Sequence, residues 1–168
     1  MKQEIYCGGK FISTQQYFKV NNPYNNEVIA ECGKADKDNL DYAIEAALKV
    51  KEEMKFLPSY EKYAILMQIS NEIKKQKKEL AQLLSSESGK PLKYALVEID
   101  RAAETFQVAA EESKRVPKEY ISLDWNPSGK NKEGFVKYFP AGIVAGITPF
   151  NFPINLVAHK VAPAIAAG

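Results

Sequence analysis

The sequence predicts an α/β fold, in which a strand–turn–helix unit begins a parallel sheet behind three amphipathic helices and a set of N-terminal hairpins. Three observations carry this reading. First, residues 139–168 read FPAGIVAGITPFNFPINLVAHKVAPAIAAG. The apolar run Gly142 to Ile147 contains β-branched Ile143, Val144 and Ile147 and is bounded by turn signals, which suits a strand buried on both faces. Pro149 and Pro153 bracket Phe150, Asn151 and Phe152, and the small, apolar segment Ile154 to Ala167 then suits a helix. Second, residues 35–116 carry apolar positions at three-four spacing. Third, glycine pairs and Asn-Pro clusters punctuate short β-prone runs before residue 33.

The elements follow in order. Glu4 to Ser13 alternates around Gly8-Gly9 and reads as a hairpin. Tyr17 to Cys32 supplies runs Phe18-Lys19-Val20 and Val28-Ile29-Ala30 around an Asn-Pro-Tyr-Asn-Asn turn, a second hairpin. The first helix spans Ala35 to Phe56, with Asp36 or Asp38 as cap and Leu40, Ala43, Ile44, Ala47 and Leu48 as its buried stripe. Pro58 stops it. Ser59 is the expected cap of a second helix that runs to Ser88-Gly89 with Leu66, Ile69, Ile73, Leu80 and Leu83 on one face. Pro91 opens a third, with Leu92, Leu96, Ile99, Ala103, Phe106 and Ala110 facing inward, ending before Pro117. Glu119 to Tyr138 reads as a hairpin with a polar loop and outward aromatics, its strands holding Tyr120, Ile121, Leu123 and Trp125 on one side and Gly134 to Tyr138 on the other. The chain therefore divides into residues 1–118, 119–138 and 139–168.

Composition narrows the function classes. The chain has 168 residues, 45% hydrophobic and 26% charged, with net charge +2. That is a soluble globular composition without the field that nucleic acid or an anionic membrane would require. Lys74-Lys75-Gln76-Lys77-Lys78 is the densest basic cluster and fits a solvated helix face. No uncharged apolar run reaches 18 residues and no signal sequence follows Met1, so a cytoplasmic protein with reduced Cys7 and Cys32 is expected. One histidine, His159, cannot build a metal cluster or a serine–histidine triad and reads as a helix-face residue. Ser88-Gly89-Lys90-Pro91 is not a phosphate loop, because Leu84 stands where the first glycine belongs and Pro91 replaces the Ser or Thr. Gly142 and Gly146 lie within the expected strand and do not form a dinucleotide fingerprint.

Asn151 carries two readings from the residues alone. Between two prolines it can cap the following helix, or its amide can donate to a developing oxyanion. Ile147, Thr148, Pro149 and Phe150 fall at the carboxyl end of the expected strand, where ligands of open α/β sheets bind.

Three of these sequences together resemble the aldehyde dehydrogenase superfamily: Pro140-Ala141-Gly142, Thr148-Pro149-Phe150-Asn151-Phe152-Pro153, and Ala162-Pro163-Ala164-Ile165-Ala166-Ala167-Gly168. Asn22-Pro23, Glu27-Val28-Ile29 and the Gly89-Lys90-Pro91 corner extend the resemblance along the chain, which would cover about a third of a family member. Phe150 in place of tryptophan resembles the lactaldehyde, non-phosphorylating glyceraldehyde-3-phosphate and semialdehyde subgroups. The resemblance implies the N-terminal part of that fold, with three helices and hairpins packed on the start of a Rossmann-like sheet and residues 119–138 forming part of an oligomerisation surface. It implies oxidation of a small aldehyde through a cysteine thioester with NAD or NADP. Asn151 would hold the oxyanion, and Ile147, Thr148, Pro149 and Phe150 would border the nicotinamide. The nucleophilic cysteine, the general-base glutamate and most cofactor contacts of the family would lie beyond Gly168. The chain alone is thus expected to be inactive, to bind the cofactor poorly, and to form a homo-oligomer or join a C-terminal portion. The alternative is a non-catalytic partner-binding or oligomerisation module.

Overall fold

The computed structural model describes residues 2–168. Its elements are β1 (Lys2–Gln3), β2 (Ile5–Cys7), β3 (Lys10–Ile12), β4 (Gln16–Asn21), β5 (Val28–Lys34), α1 (Lys37–Phe56), α2 (Ser59–Lys75), α3 (Lys77–Ser88), α4 (Leu92–Ser113), β6 (Lys118–Ser122), β7 (Glu133–Lys137) and α5 (Asn155–Ala167).

Both expected N-terminal hairpins form. β2 and β3 pair antiparallel across Gly8-Gly9, and β4 pairs antiparallel with β5. The sequence did not announce β1, which adds to β5 in parallel and makes a three-stranded sheet of order β1–β5–β4. Two residues are too few to show a pattern.

Asp36 caps α1 as one of the two expected candidates. Its carboxylate accepts from Asn39 N–H at 2.9 Å, and Asn39 reciprocates by accepting from Asp36 N–H at 3.1 Å. The expected buried stripe of α1 is not realised: Leu40, Ile44 and Leu48 are exposed. Ala43 and Ala47 are half-buried, and periodicity reports that a face is apolar, not what lies on it.

The expected second helix is two helices. α2 and α3 break at Gln76 (φ −93°, ψ 11°). The flanking lysines explain the break, because Lys74 would stack on Lys77 and Lys78 at i,i+3 and i,i+4 in a continuous helix, and like charges there are destabilising. With the bend, Lys77 reaches Asp100 at 2.6 Å and Lys74 reaches Gln107 at 2.8 Å. Ser59 is not the cap of α2. Pro58 is, through its carbonyl, which accepts from Glu61 and Lys62 N–H, both at 3.1 Å. Gly89, at φ 69°, ends α3 in the left-handed conformation that favours glycine, and Pro91 precedes α4 as expected.

α4 is the axis of the molecule. Ala102, Ala103, Phe106 and Ala110 are buried, as are Leu66 on α2 and Ala158, Ala162 and Ala166 on α5. The alanines let the three helices approach closely, and Ser70 Oγ donates to the Ala103 carbonyl at 2.8 Å in the seam between α2 and α4. A second cluster joins α3 and α4 through Ala81, Leu84, Ala95 and Ile99. The outer members of the expected stripes, Leu83 and Leu92, are exposed.

Lys62 on α2 is buried and makes no ion pair among the described residues. Burial holds its ammonium below the usual lysine value of 10.5. Between that depressed value and 10.5 the unfolded chain binds more protons than the folded one, so stability rises with pH there. Lys62→Met is expected to remove that rise; urea midpoints at pH 8 and pH 10 for both proteins check it, and an unchanged slope in the variant contradicts it.

β6 and β7 form the expected hairpin, with Tyr120 and Phe135 in edge contact at 5.5 Å between ring centres. Leu123 and Trp125 lie in its loop, not in a strand, because Asn126 caps a tight turn at Pro127–Gly129. Tyr120, Trp125 and Phe135 all point to solvent.

The expected strand at Gly142–Ile147 does not form a ladder, and this is the main correction to the sequence reading. Residues 139–149 are extended without regular structure. A strand exists only through hydrogen bonds to a neighbour, and no other strand among the described residues lies beside this one. Ile143, Val144 and Ile147, expected to be buried on both faces, are exposed. The segment instead runs past α1 and α5, where Ala47, Val50, Ile143 and Ile165 line a groove of about 280 Å³. The helix half of the unit is present as α5.

Candidate functional site

The turn between the extended segment and α5 holds every residue that the sequence nominated. Ile147 is 89% exposed and Phe150 is 91% exposed. Thr148, Pro149 and Asn151 are exposed beside them. The structure brings these five together as a continuous open face. None of them lines the groove of about 950 Å³ that lies between α4, α5 and Tyr138–Ala141. Arg101, Arg115, Asn155 and His159 line that groove, and the buried Asn155 side-chain oxygen lacks a hydrogen-bond partner.

Of the two roles open to Asn151, helix capping is not the one adopted. The N-cap position of α5 is Ile154, and no side chain of the turn bonds the first turn of the helix. The capping is done from another element. Glu98, on the buried side of α4 with a side chain 1% exposed, accepts with Oε1 from the backbone N–H of Ile154 at 3.2 Å and of Asn155 at 3.4 Å. A carboxylate at the positive end of a helix is favoured electrostatically. Its other oxygen pairs with Lys90, whose ammonium also donates to the Asn151 carbonyl at 3.1 Å. Lys90 Nζ stands 4.3 Å from the centre of the Phe152 ring, and the Arg101 guanidinium lies 5.7 Å from it. The backbone is therefore held at the Asn151 carbonyl and again at the start of α5. No hydrogen bond among the described residues engages the Asn151 carboxamide itself.

Sequence reasoning placed Lys90 at a helix corner, which is correct, but it missed that its side chain crosses to the turn. It missed Glu98 as well. A signal was available: Glu98 shares a helical face with Ala95, Ile99 and Ala102, all buried, and a carboxylate on such a face requires partners.

A dinucleotide fits only part of this face. Phosphates favour free helix N-termini, and the N-terminus of α5 is occupied by the Glu98 carboxylate. The exposed apolar side chains and backbone of residues 147–150 suit a ring and its sugar. Neither cysteine belongs to the turn: Cys7 lies on β2 and Cys32 on β5.

Hairpins, a helical layer and a helix entered from an extended segment through a Pro-Phe-Asn-Phe-Pro turn place the chain in the α/β class. Residues 11–168 match the family described as "Aldehyde dehydrogenase family", and the chain belongs to it. It is 43% identical to the lactaldehyde dehydrogenase of Methanocaldococcus jannaschii over 164 residues, 98% of this chain and 34% of that protein. It is 39% identical over 166 residues to the 3-sulfolactaldehyde dehydrogenase of Priestia aryabhattai, again 34% of that protein. The aldehyde dehydrogenase 21 of Physcomitrella patens, solved with the reaction product succinate, superposes with a TM-score of 0.96 at 44% identity, covering 99% of this chain and 35% of that one. The NADP-dependent glyceraldehyde-3-phosphate dehydrogenase of Bacillus halodurans, solved with NADP, gives 0.94 at 26% identity, with 100% and 36% covered. The chain thus spans about a third of the length of the relatives it matches. No helix among the described residues is long and apolar enough to cross a membrane.

Proposed function

We propose that this chain supplies the amide half of the oxyanion site of an NAD(P)-dependent aldehyde dehydrogenase. When a thiol adds to an aldehyde carbonyl, negative charge develops on the oxygen, and a fixed N–H donor aimed there lowers the barrier. Asn151 is the donor. The observation that supports this is that its backbone is clamped while its carboxamide remains uncommitted and exposed. Ile147, Thr148, Pro149 and Phe150 would border the nicotinamide and its ribose, and the bound cofactor would supply the hydride acceptor. The relatives act on lactaldehyde and 3-sulfolactaldehyde by name, so a small 2-hydroxyaldehyde is the substrate class to try first. Residues 1–118 and 139–168 form the cofactor-binding part in this reading, and the protein works in the cytoplasm, consistent with two free cysteines.

Complementation tests the proposal. The chain is mixed or co-expressed with the remaining two thirds of the Methanocaldococcus jannaschii lactaldehyde dehydrogenase, and lactaldehyde-dependent formation of NADH or NADPH is followed. The expected result is turnover from the mixture and none from this chain alone. Turnover by the chain alone, or an inert but physically assembled mixture, contradicts it.

A second reading, a non-catalytic oligomerisation module, is favoured by one observation: Trp125, Tyr120 and Phe135 on the β6–β7 hairpin are all exposed. Exposed aromatic clusters mark interaction surfaces. Native mass measurement is expected to show dimers or larger species that dissociate on Trp125→Ser; a monomer at micromolar concentration contradicts an oligomeric role for the hairpin.

A further inference from the structure

We propose that Lys90 and Glu98 form a positioning pair that sets the orientation of Asn151, an inference that rests on the oxyanion role given to that asparagine. Lys90 lies in the corner between α3 and α4, and Glu98 lies two turns into α4. Glu98 is 1% exposed and Lys90 17% exposed, so their charges are largely removed from water. A buried carboxylate is tolerated only when its oxygens are satisfied. Here both are: Ile154 N–H and Asn155 N–H, at the start of α5, bond one oxygen, and the Lys90 ammonium bonds the other.

Lys90 then carries the link onward. Its ammonium bonds the Asn151 carbonyl from 61 residues away in sequence and sits over the ring of Phe152. The turn is thereby anchored at residue 151 by a cation and at residues 154 and 155 by an anion. The anion and the cation also hold one another. A turn on an open face has few other constraints, since the neighbouring residues 147–150 are exposed and lack a ladder. Glu98 also takes the capping task that Asn151 would otherwise be suited to perform. That leaves both N–H groups of the Asn151 carboxamide for a ligand. Catalytic donors act through preorganisation, and this pair provides it without reaching the reacting atoms.

The test uses the full chain, labelled with ¹⁵N, as wild type, Lys90→Met, Lys90→Arg and Glu98→Gln. In the wild type the Asn151 backbone is expected to show an order parameter of about 0.85, typical of a rigid backbone, falling below about 0.6 in Lys90→Met. Hydrogen exchange at Ile154 and Asn155 is expected to accelerate at least tenfold in Glu98→Gln, while the Ala103–Ala110 amides keep their protection. Lys90→Arg, which retains the cation, is expected to restore the order parameter. Where Glu98→Gln fails to fold, Lys90→Met alone decides the matter. In the complemented enzyme, with rates normalised to the amount of assembled complex measured by native mass, Lys90→Met is expected to lower kcat 10-fold or more with KM within twofold, whereas a merely weakened assembly leaves the normalised kcat unchanged. An Asn151 order parameter and Ile154 exchange rate unchanged in both variants overturn the positioning role. Full activity in Asn151→Ala overturns the oxyanion reading instead, so the two failures are distinct.

Discussion

Asn151→Ala is expected to reduce kcat of the complemented dehydrogenase by about 10²- to 10³-fold, the usual consequence of deleting one oxyanion donor. Asn151 sits between Pro149 and Pro153, and its carbonyl is fixed by Lys90. Its carboxamide has no structural duty among the described residues, because Glu98 caps α5. Removing that carboxamide should therefore leave stability nearly unchanged, and the loss should fall on kcat. KM should move little, because the interaction strengthens only as charge develops. Asn151→Asp should be at least as damaging, since a carboxylate repels the oxyanion. Steady-state kinetics with equal amounts of assembled enzyme check this. A variant with kcat within threefold of wild type means that the amide does not serve the reaction.

The second large effect is on folding. Phe106→Ala is expected to destabilise the chain by about 3–5 kcal/mol, from lost transfer energy and the cavity left behind. Phe106 is the bulkiest side chain in the cluster that joins α2, α4 and α5, and its other buried members are one leucine and six alanines. Alanines cannot collapse into the space, so relaxation should be small and the loss should lie at the upper end. Small domains hold only about 5–15 kcal/mol in total, so the variant should be partly unfolded at 37 °C. Urea denaturation followed by circular dichroism checks the figure; a loss below about 1 kcal/mol would mean that the three-helix junction is loosely packed.

The architecture was legible where local chemistry decides it. The glycine pair at Gly8-Gly9, the Asp36 cap, Gly89 and the prolines at 58 and 91 mark their boundaries by backbone preference, and the structure places elements accordingly. The helix faces on α2 and α4 were legible because three-four periodicity met a real neighbour. The same periodicity misled on α1, whose Leu40, Ile44 and Leu48 meet solvent, and the β-prone run 142–147 misled in the same way. In both cases burial and pairing depend on a partner surface that no local pattern encodes. The α2–α3 break was hidden because the Lys74–Lys78 repulsion was read as a solvated face without asking what it does to the helix. At the site, the motif located Asn151, yet the pair that holds it was invisible to motif reading. Lys90 and Glu98 act across 61 and 56 residues of chain, and only the folded arrangement joins them.

The most direct measurement of the central claim is a crystal structure of the complemented enzyme trapped with an aldehyde on its nucleophilic thiol. The account predicts the Asn151 side-chain nitrogen within about 2.7–3.1 Å of the former carbonyl oxygen, with Lys90 still on the Asn151 carbonyl. An asparagine turned toward bulk solvent, with that oxygen held by other groups alone, would contradict it.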